Sequence, residues 1–227
     1  SPRPQEALAQ LEAKKDMQLL TSSTPEACLE HLVGLCKEWL PKQLGIDPIS
    51  QAQVLVPMHR GLVGTEHINR VLQKALNPQE KGLVCGDVRF QVGDKVIQTR
   101  NNYDKGVFNG ELGRVHTLDP KTGSLQVQFD TALVDFDSGD LPSLQLAYAI
   151  SIHKSQGSEF PVVIVPLLKQ HFVMLQRNLL YTAITRGRKK VFVLGDPRAW
   201  AMAVQNQESA QRNTDLQRKL LREWRGS

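Results

Sequence analysis

Apolar residues recur at helical spacing over residues 24–40, where Leu29, Leu32, Val33, Cys36, Trp39 and Leu40 fall on one side and predict an amphipathic helix. Thr24 at its start can cap backbone N–H groups, and Pro25-Glu26 brings a preset φ and a negative charge to the first turn. Residues 53–57 read as a short buried strand, and Ile68, Val71, Leu72, Ala75 and Leu76 mark a second helix that Asn77-Pro78 stops. The same rhythm returns later: 162–165 is an unbroken apolar run, 175–185 has helical spacing, and 191–194 is another apolar run. Unbroken β-branched runs suit strands covered on both faces, as in a parallel sheet. Both ends of the chain therefore predict one α/β domain.

The middle differs. From residue 87 to about 141 the pattern shortens to alternating strands such as Leu125-Gln126-Val127-Gln128-Phe129, separated by Gly93-Asp94, Asn109-Gly110 and 120–123. This predicts a small β-barrel over 85–141, inserted between 1–84 and 142–205. Residues 205–215 are polar, after which Leu216, Leu220, Leu221 and Trp224 recur at helical spacing, so 206–227 is expected to be a linker and a peripheral helix.

Composition narrows the picture modestly. The net charge of +5 suits a polyanionic partner, although many proteins with such an excess never meet one. Three cysteines without a C-x-x-C pair, and six histidines without ligand spacing, indicate neither disulfide nor metal site. No apolar run is long enough to cross a bilayer, and Ser1-Pro2-Arg3-Pro4 lacks a signal-peptide core, so a cytoplasmic protein without membrane contact is expected.

The most distinctive stretch is Tyr148-Ala149-Ile150-Ser151-Ile152-His153-Lys154-Ser155-Gln156-Gly157-Ser158-Glu159-Phe160, leading into the apolar run. It resembles motif V of superfamily 1 helicases, and Asn178-Leu179-Leu180-Tyr181-Thr182-Ala183-Ile184-Thr185-Arg186-Gly187-Arg188 resembles motif VI. Upstream, Val54-Leu55-Val56-Pro57-Met58-His59-Arg60-Gly61 is similar to the RecD-like family in particular, and the inserted 93–98 and 109–113 are similar to that family's SH3-like domain. The resemblance spans roughly residues 19–200. It implies an α/β, RecA-like (P-loop NTPase-type) sheet with an SH3-like insert, working as the second motor domain of a 5′-to-3′ DNA helicase.

The resemblance also implies roles. Arg186 would be the arginine finger that reaches ATP held by a neighbouring RecA-like domain, because a planar guanidinium suits the spread charge of phosphoryl transfer. Gln156 and Gly157 would meet the nucleotide from between a strand end and a helix start, and Glu159 would face its ribose. His153, Lys154 and Ser155 would donate to the phosphates of single-stranded DNA, with His59 and Arg60 as further contacts. Plainer readings stand beside these. Arg186 and Arg188 would also suit a helix C-terminus, His153 a structural histidine, Lys154 a solvated charge, and Gly61 and Gly64 a simple turn.

The chain has no Gly-Lys dipeptide for a phosphate-binding loop and no Asp-Glu pair for Mg²⁺. ATP and Mg²⁺ are therefore expected to sit mainly on a separate N-terminal RecA-like domain, leaving this chain inactive alone. Expected partners are that domain, single-stranded DNA, and nuclease or repair-complex subunits. A non-enzymatic nucleic-acid-binding or protein-interaction module is the alternative.

Overall fold

The computed structural model describes residues 8–9, 11–168 and 177–199. The expected tail helix at 206–227, and the first two residues of the helix expected over 175–185, lie outside them.

Five strands form one parallel sheet in the order β1 (Met17–Thr21), β12 (Gly187–Gly195), β11 (Phe160–Leu167), β2 (Ala52–Val56) and β10 (Ala149–Ser151). Every residue of β2 and β10 is buried, as are nearly all of β11, which is why these segments carry no alternation. Helix α1 (Pro25–Gly34) starts where the Thr24 hydroxyl accepts from the Ala27 N–H. Instead of running unbroken to residue 40, it widens into a π-helical turn at Leu35–Trp39 before α2 (Leu40–Leu44). Pro41 gives the reason, since it lacks an N–H and its ring crowds the carbonyl four residues back. Trp39 still packs edge-on against Phe192 of β12, with ring centroids 5.4 Å apart.

A short helix α3 (Pro48–Gln51) leads into β2, and α4 (Thr65–Leu76) follows it. Helix α4 buries Ile68 and Leu72 against the core and a second, polar row: Asn69, Gln73 and Asn77. Asn69 pairs with Ala149 as a strand would, its amide donating to the Ala149 carbonyl and its carbonyl accepting from the Ala149 N–H, both at 2.9 Å.

The chain then leaves through a hairpin, β3 (Leu83–Cys85) and β4 (Val88–Phe90), into an antiparallel sheet ordered β8 (Leu133–Phe136), β7 (Ser124–Phe129), β6 (Leu112–Asp119), β5 (Lys95–Gln98) and β9 (Leu144–Leu146). Its last strand, β9, lies past the expected boundary at 141. Leu144 and Leu146 are buried and flank Gln145, a pattern too short to register as a strand in sequence.

The insert is fastened to the parallel-sheet body by polar groups. Asp94, fully buried, accepts from Gln73 (2.6 Å), Asn77 (2.8 Å), the Gln91 N–H (2.8 Å) and the Tyr148 hydroxyl (2.8 Å). Four donors fill the acceptor capacity of one carboxylate. Burial nonetheless holds its carboxyl above the usual range, with those donors opposing.

Candidate nucleotide and nucleic-acid interface

A cleft of about 1100 Å³ opens between the insert and the segment after β10. One wall carries His153, Lys154, Gln156, Gly157, Ser158 and Glu159; the facing wall carries Phe108, Asn109, Gly110, Glu111, Asp130 and Thr131 from the insert. Lys95, Phe160 and Pro161 also line it.

The first wall is built by a tight change of direction. Ile152 donates its N–H to the Val56 carbonyl (3.1 Å), holding the segment against the end of β2, and a single 3₁₀ turn follows at His153–Ser155. Gly157 has φ +84°, a conformation that side chains disfavour, and turns the chain towards β11. No helix begins after Gln156-Gly157, contrary to expectation. Pro161 and a β-branched run follow at once, so β11 starts at Phe160 and any N–H groups offered to an anion are those of a loop.

The expected residues are not all brought together. His153 is exposed, and Lys154 is half-buried with its ammonium 3.1 Å from Gln145 Oε1; burial holds its pKa below the usual lysine range. Ser155 is fully buried and its hydroxyl donates to the Ile152 carbonyl at 2.7 Å, so it closes the turn and presents nothing to a strand. His59 and Arg60 are exposed after the carboxyl end of β2, outside the lining of the cleft. There, His59 Nδ1 lies 3.2 Å from Thr65 Oγ1. Gly64 permits the turn, because a Cβ at that position would stand 2.4 Å from the Arg60 carbonyl oxygen.

Arg186 lies after helix α5 (Arg177–Ile184), at the amino end of β12, where its carbonyl accepts from the Phe160 N–H at 2.8 Å. Its guanidinium donates to the Thr182 carbonyl, the Ser158 carbonyl and Thr185 Oγ1, each at 3.3 Å. It therefore does bond a carbonyl in the last turn of α5, as the plainer reading had it, and it also reaches the segment that holds Gln156. Glu159 beside it is taken by Arg188, whose Nε donates to Oε2 at 2.7 Å; that hydrogen bond, chiefly, lowers the Glu159 pKa.

Sequence reasoning passed over Lys95. It is the first residue of a strand that is buried throughout, its ammonium donates to the Ala52 carbonyl (3.1 Å) and lies 5.6 Å from the Phe160 ring centroid, and burial pushes it down to about 8. A lysine beside Val-Ile in a core strand was the available signal. Phe108, Glu111 and Asp130 had none, because only the tertiary fold carries them to the cleft. Among the described residues, no group of three or more His, Cys, Asp or Glu could hold a metal ion. Among them, too, no helix is long and apolar enough to cross a membrane.

Comparison with known proteins gives two family matches. Residues 68–129 match the SH3 domain of ATP-dependent RecD-like DNA helicases, and residues 146–194 match the UvrD-like helicase C-terminal domain. The ATP-dependent RecD2 DNA helicase of Deinococcus radiodurans is 43% identical over 164 residues, covering 72% of this chain and 22% of that protein. The RecBCD enzyme subunit RecD of Mycolicibacterium smegmatis is 31% identical over 172 residues, covering 76% of this chain and 30% of that protein. The chain thus spans less than a third of the length of these relatives. Among solved structures, Bacteroides Pif1 helicase in complex with ADP-AlF3 and single-stranded DNA matches at TM-score 0.48 and 21% identity, covering 75% of this chain and 45% of that one.

Proposed function

The chain belongs to the RecD-like helicases of superfamily 1, and from that premise we propose that it is the C-terminal motor half of an ATP-dependent 5′-to-3′ DNA helicase. In this role it supplies an arginine finger and part of a single-strand track, and it relies on another RecA-like domain for hydrolysis. Nuclease or repair-complex subunits are further partners in the same proposal, with the cytoplasm as its location.

The observation that carries it is the placement of Arg186. Its guanidinium bonds the Ser158 carbonyl, next to Gly157, as well as the Thr182 carbonyl and Thr185 hydroxyl at the end of α5, while the adjacent carboxylate of Glu159 is occupied by Arg188. Positive charge is therefore held next to an exposed glycine turn, an arrangement that suits a polyphosphate. Gln156, Gly157 and Arg186 would face ATP, with Mg²⁺ held by the other domain. Bound ATP supplies the phosphoryl transfer whose free energy drives stepping. For its part, Arg186 offers fixed positive charge to the oxygens on which negative charge develops. Glu159 could reach a ribose only by exchanging its partner Arg188. Across the cleft, His153 and Lys154 offer donors to a phosphate backbone.

In the full-length protein, Arg186→Ala should lower DNA-stimulated kcat about a thousandfold while single-strand affinity changes by less than about twofold. ATPase that survives the substitution, or that is lost only because strand binding is lost, refutes the assignment.

A further inference from the structure

Phe108 lines the insert wall of the cleft, and Tyr103, outside that lining, packs against it, an aromatic pair that its own fold does not use. Tyr103 is 77% exposed and Phe108 43% exposed, and the two rings meet edge to face at 5.9 Å and 75°. Single exposed apolar side chains are ordinary, but two aromatic rings in contact at the mouth of a cleft form a contiguous apolar surface of the kind that meets a ligand. The loop presenting them is braced. Asn102 and Val107 bridge through reciprocal backbone hydrogen bonds of 2.8 and 3.1 Å, the Asn102 carboxamide accepts from the Lys105 N–H, Asn101 accepts from the Asn109 N–H and donates to the Tyr103 hydroxyl, and Val107 is buried as the anchor. Both rings are thus held in place before any ligand arrives, which lowers the ordering cost of binding.

Charge decides what they would meet. On the wall with Phe108, Glu111 and Asp130 repel phosphate, whereas the facing wall offers His153, Lys154 and the Gly157 turn, its own carboxylate, Glu159, being paired with Arg188. A single strand would therefore turn its backbone to 153–157 and its bases to the insert. Base faces stack on aromatic rings, and carboxylates accept hydrogen bonds from exocyclic amines. We propose that Phe108 and Tyr103 form a base-stacking platform, so that the cleft holds a single strand with phosphates on the segment after β10 and bases on the insert. This rests on the single-strand track proposed above. Stacking of this kind tolerates any base, as a motor stepping along mixed sequence requires.

The test uses the full-length protein without nucleotide and two fluorescent strands of equal length, one of thymidines and one abasic throughout. Phe108→Ala with Tyr103→Ala should weaken the thymidine strand about tenfold and the abasic strand less than about twofold. Phe108→Trp with Tyr103→Trp should retain affinity, and Phe108→Leu with Tyr103→Leu, which keep apolar bulk without a π face, should not. Lys154→Ala should weaken both strands alike. Unchanged melting temperature in the alanine variant shows that the fold is intact. If that variant weakens both strands equally, or neither, the platform is overturned while the Lys154 result leaves the track standing. Should the wild-type protein bind neither strand, both proposals fall.

Discussion

Replacing Lys95 by Met removes a buried charge while keeping an unbranched side chain of similar reach. In the folded chain this ammonium deprotonates near pH 8, against an ordinary value of 10.5. Folding therefore releases a proton between these values, and stability rises with pH across that window. Below pH 8 both states are protonated, and the folded state carries the full cost of the buried charge, about 3 kcal/mol at 1.36 kcal/mol for each pH unit. Met avoids that cost but strips the Ala52 carbonyl of its donor, a loss of about 1 kcal/mol. The variant should thus be more stable than wild type by about 2 kcal/mol at pH 7, with the gap closing as pH rises and reversing to about 1 kcal/mol in favour of wild type by pH 10.5. Urea denaturation of both proteins from pH 6 to 10.5 measures it. A wild-type stability that stays flat above pH 8, or a Met variant weaker than wild type at pH 7, refutes the reasoning.

Two further substitutions probe the polar contacts that α4 makes with the insert and with β10. Asp94→Ala leaves the buried donors of Gln73, Asn77, Gln91 and Tyr148 without their acceptor and should cost about 3 kcal/mol or more in urea denaturation; a loss below about 1 kcal/mol would mean that water replaces the carboxylate. Asn69→Ala should speed hydrogen exchange at the Ala149 amide by about tenfold or more, since that N–H loses its acceptor; unchanged protection there would show that the side chain does not hold β10.

What the sequence disclosed follows from the physics of each segment. The strands of the parallel sheet were legible because burial on both faces demands unbroken runs such as Val162-Val163-Ile164-Val165, and the insert because its turns need Gly and Asn where alternation breaks. Features set by single tertiary contacts were not. Ser155 sits in a polar run that suggests a surface, yet its hydroxyl turns back to Ile152. Pro41 does not end the helix, which widens into a π-helical turn and continues, a response that apolar spacing does not encode. In the candidate site, motif order pointed to the wall that carries Gln156 and Gly157. The opposite wall was hidden because its residues are far away in sequence and meet the motif only through the inserted fold.

Helix α4 touches the His59 turn at its first residue, β10 at Asn69 and the insert at Gln73 and Asn77. The insert is therefore poorly suited to swing like a flag on a pole. On the proposed track, a strand pulling on the insert would strain one rod held at three heights, and the same pull would arrive at Ala149, only a few residues before His153. For the motor role proposed above, a variant that loosens this rod is expected to blur the size of each step before it abolishes movement.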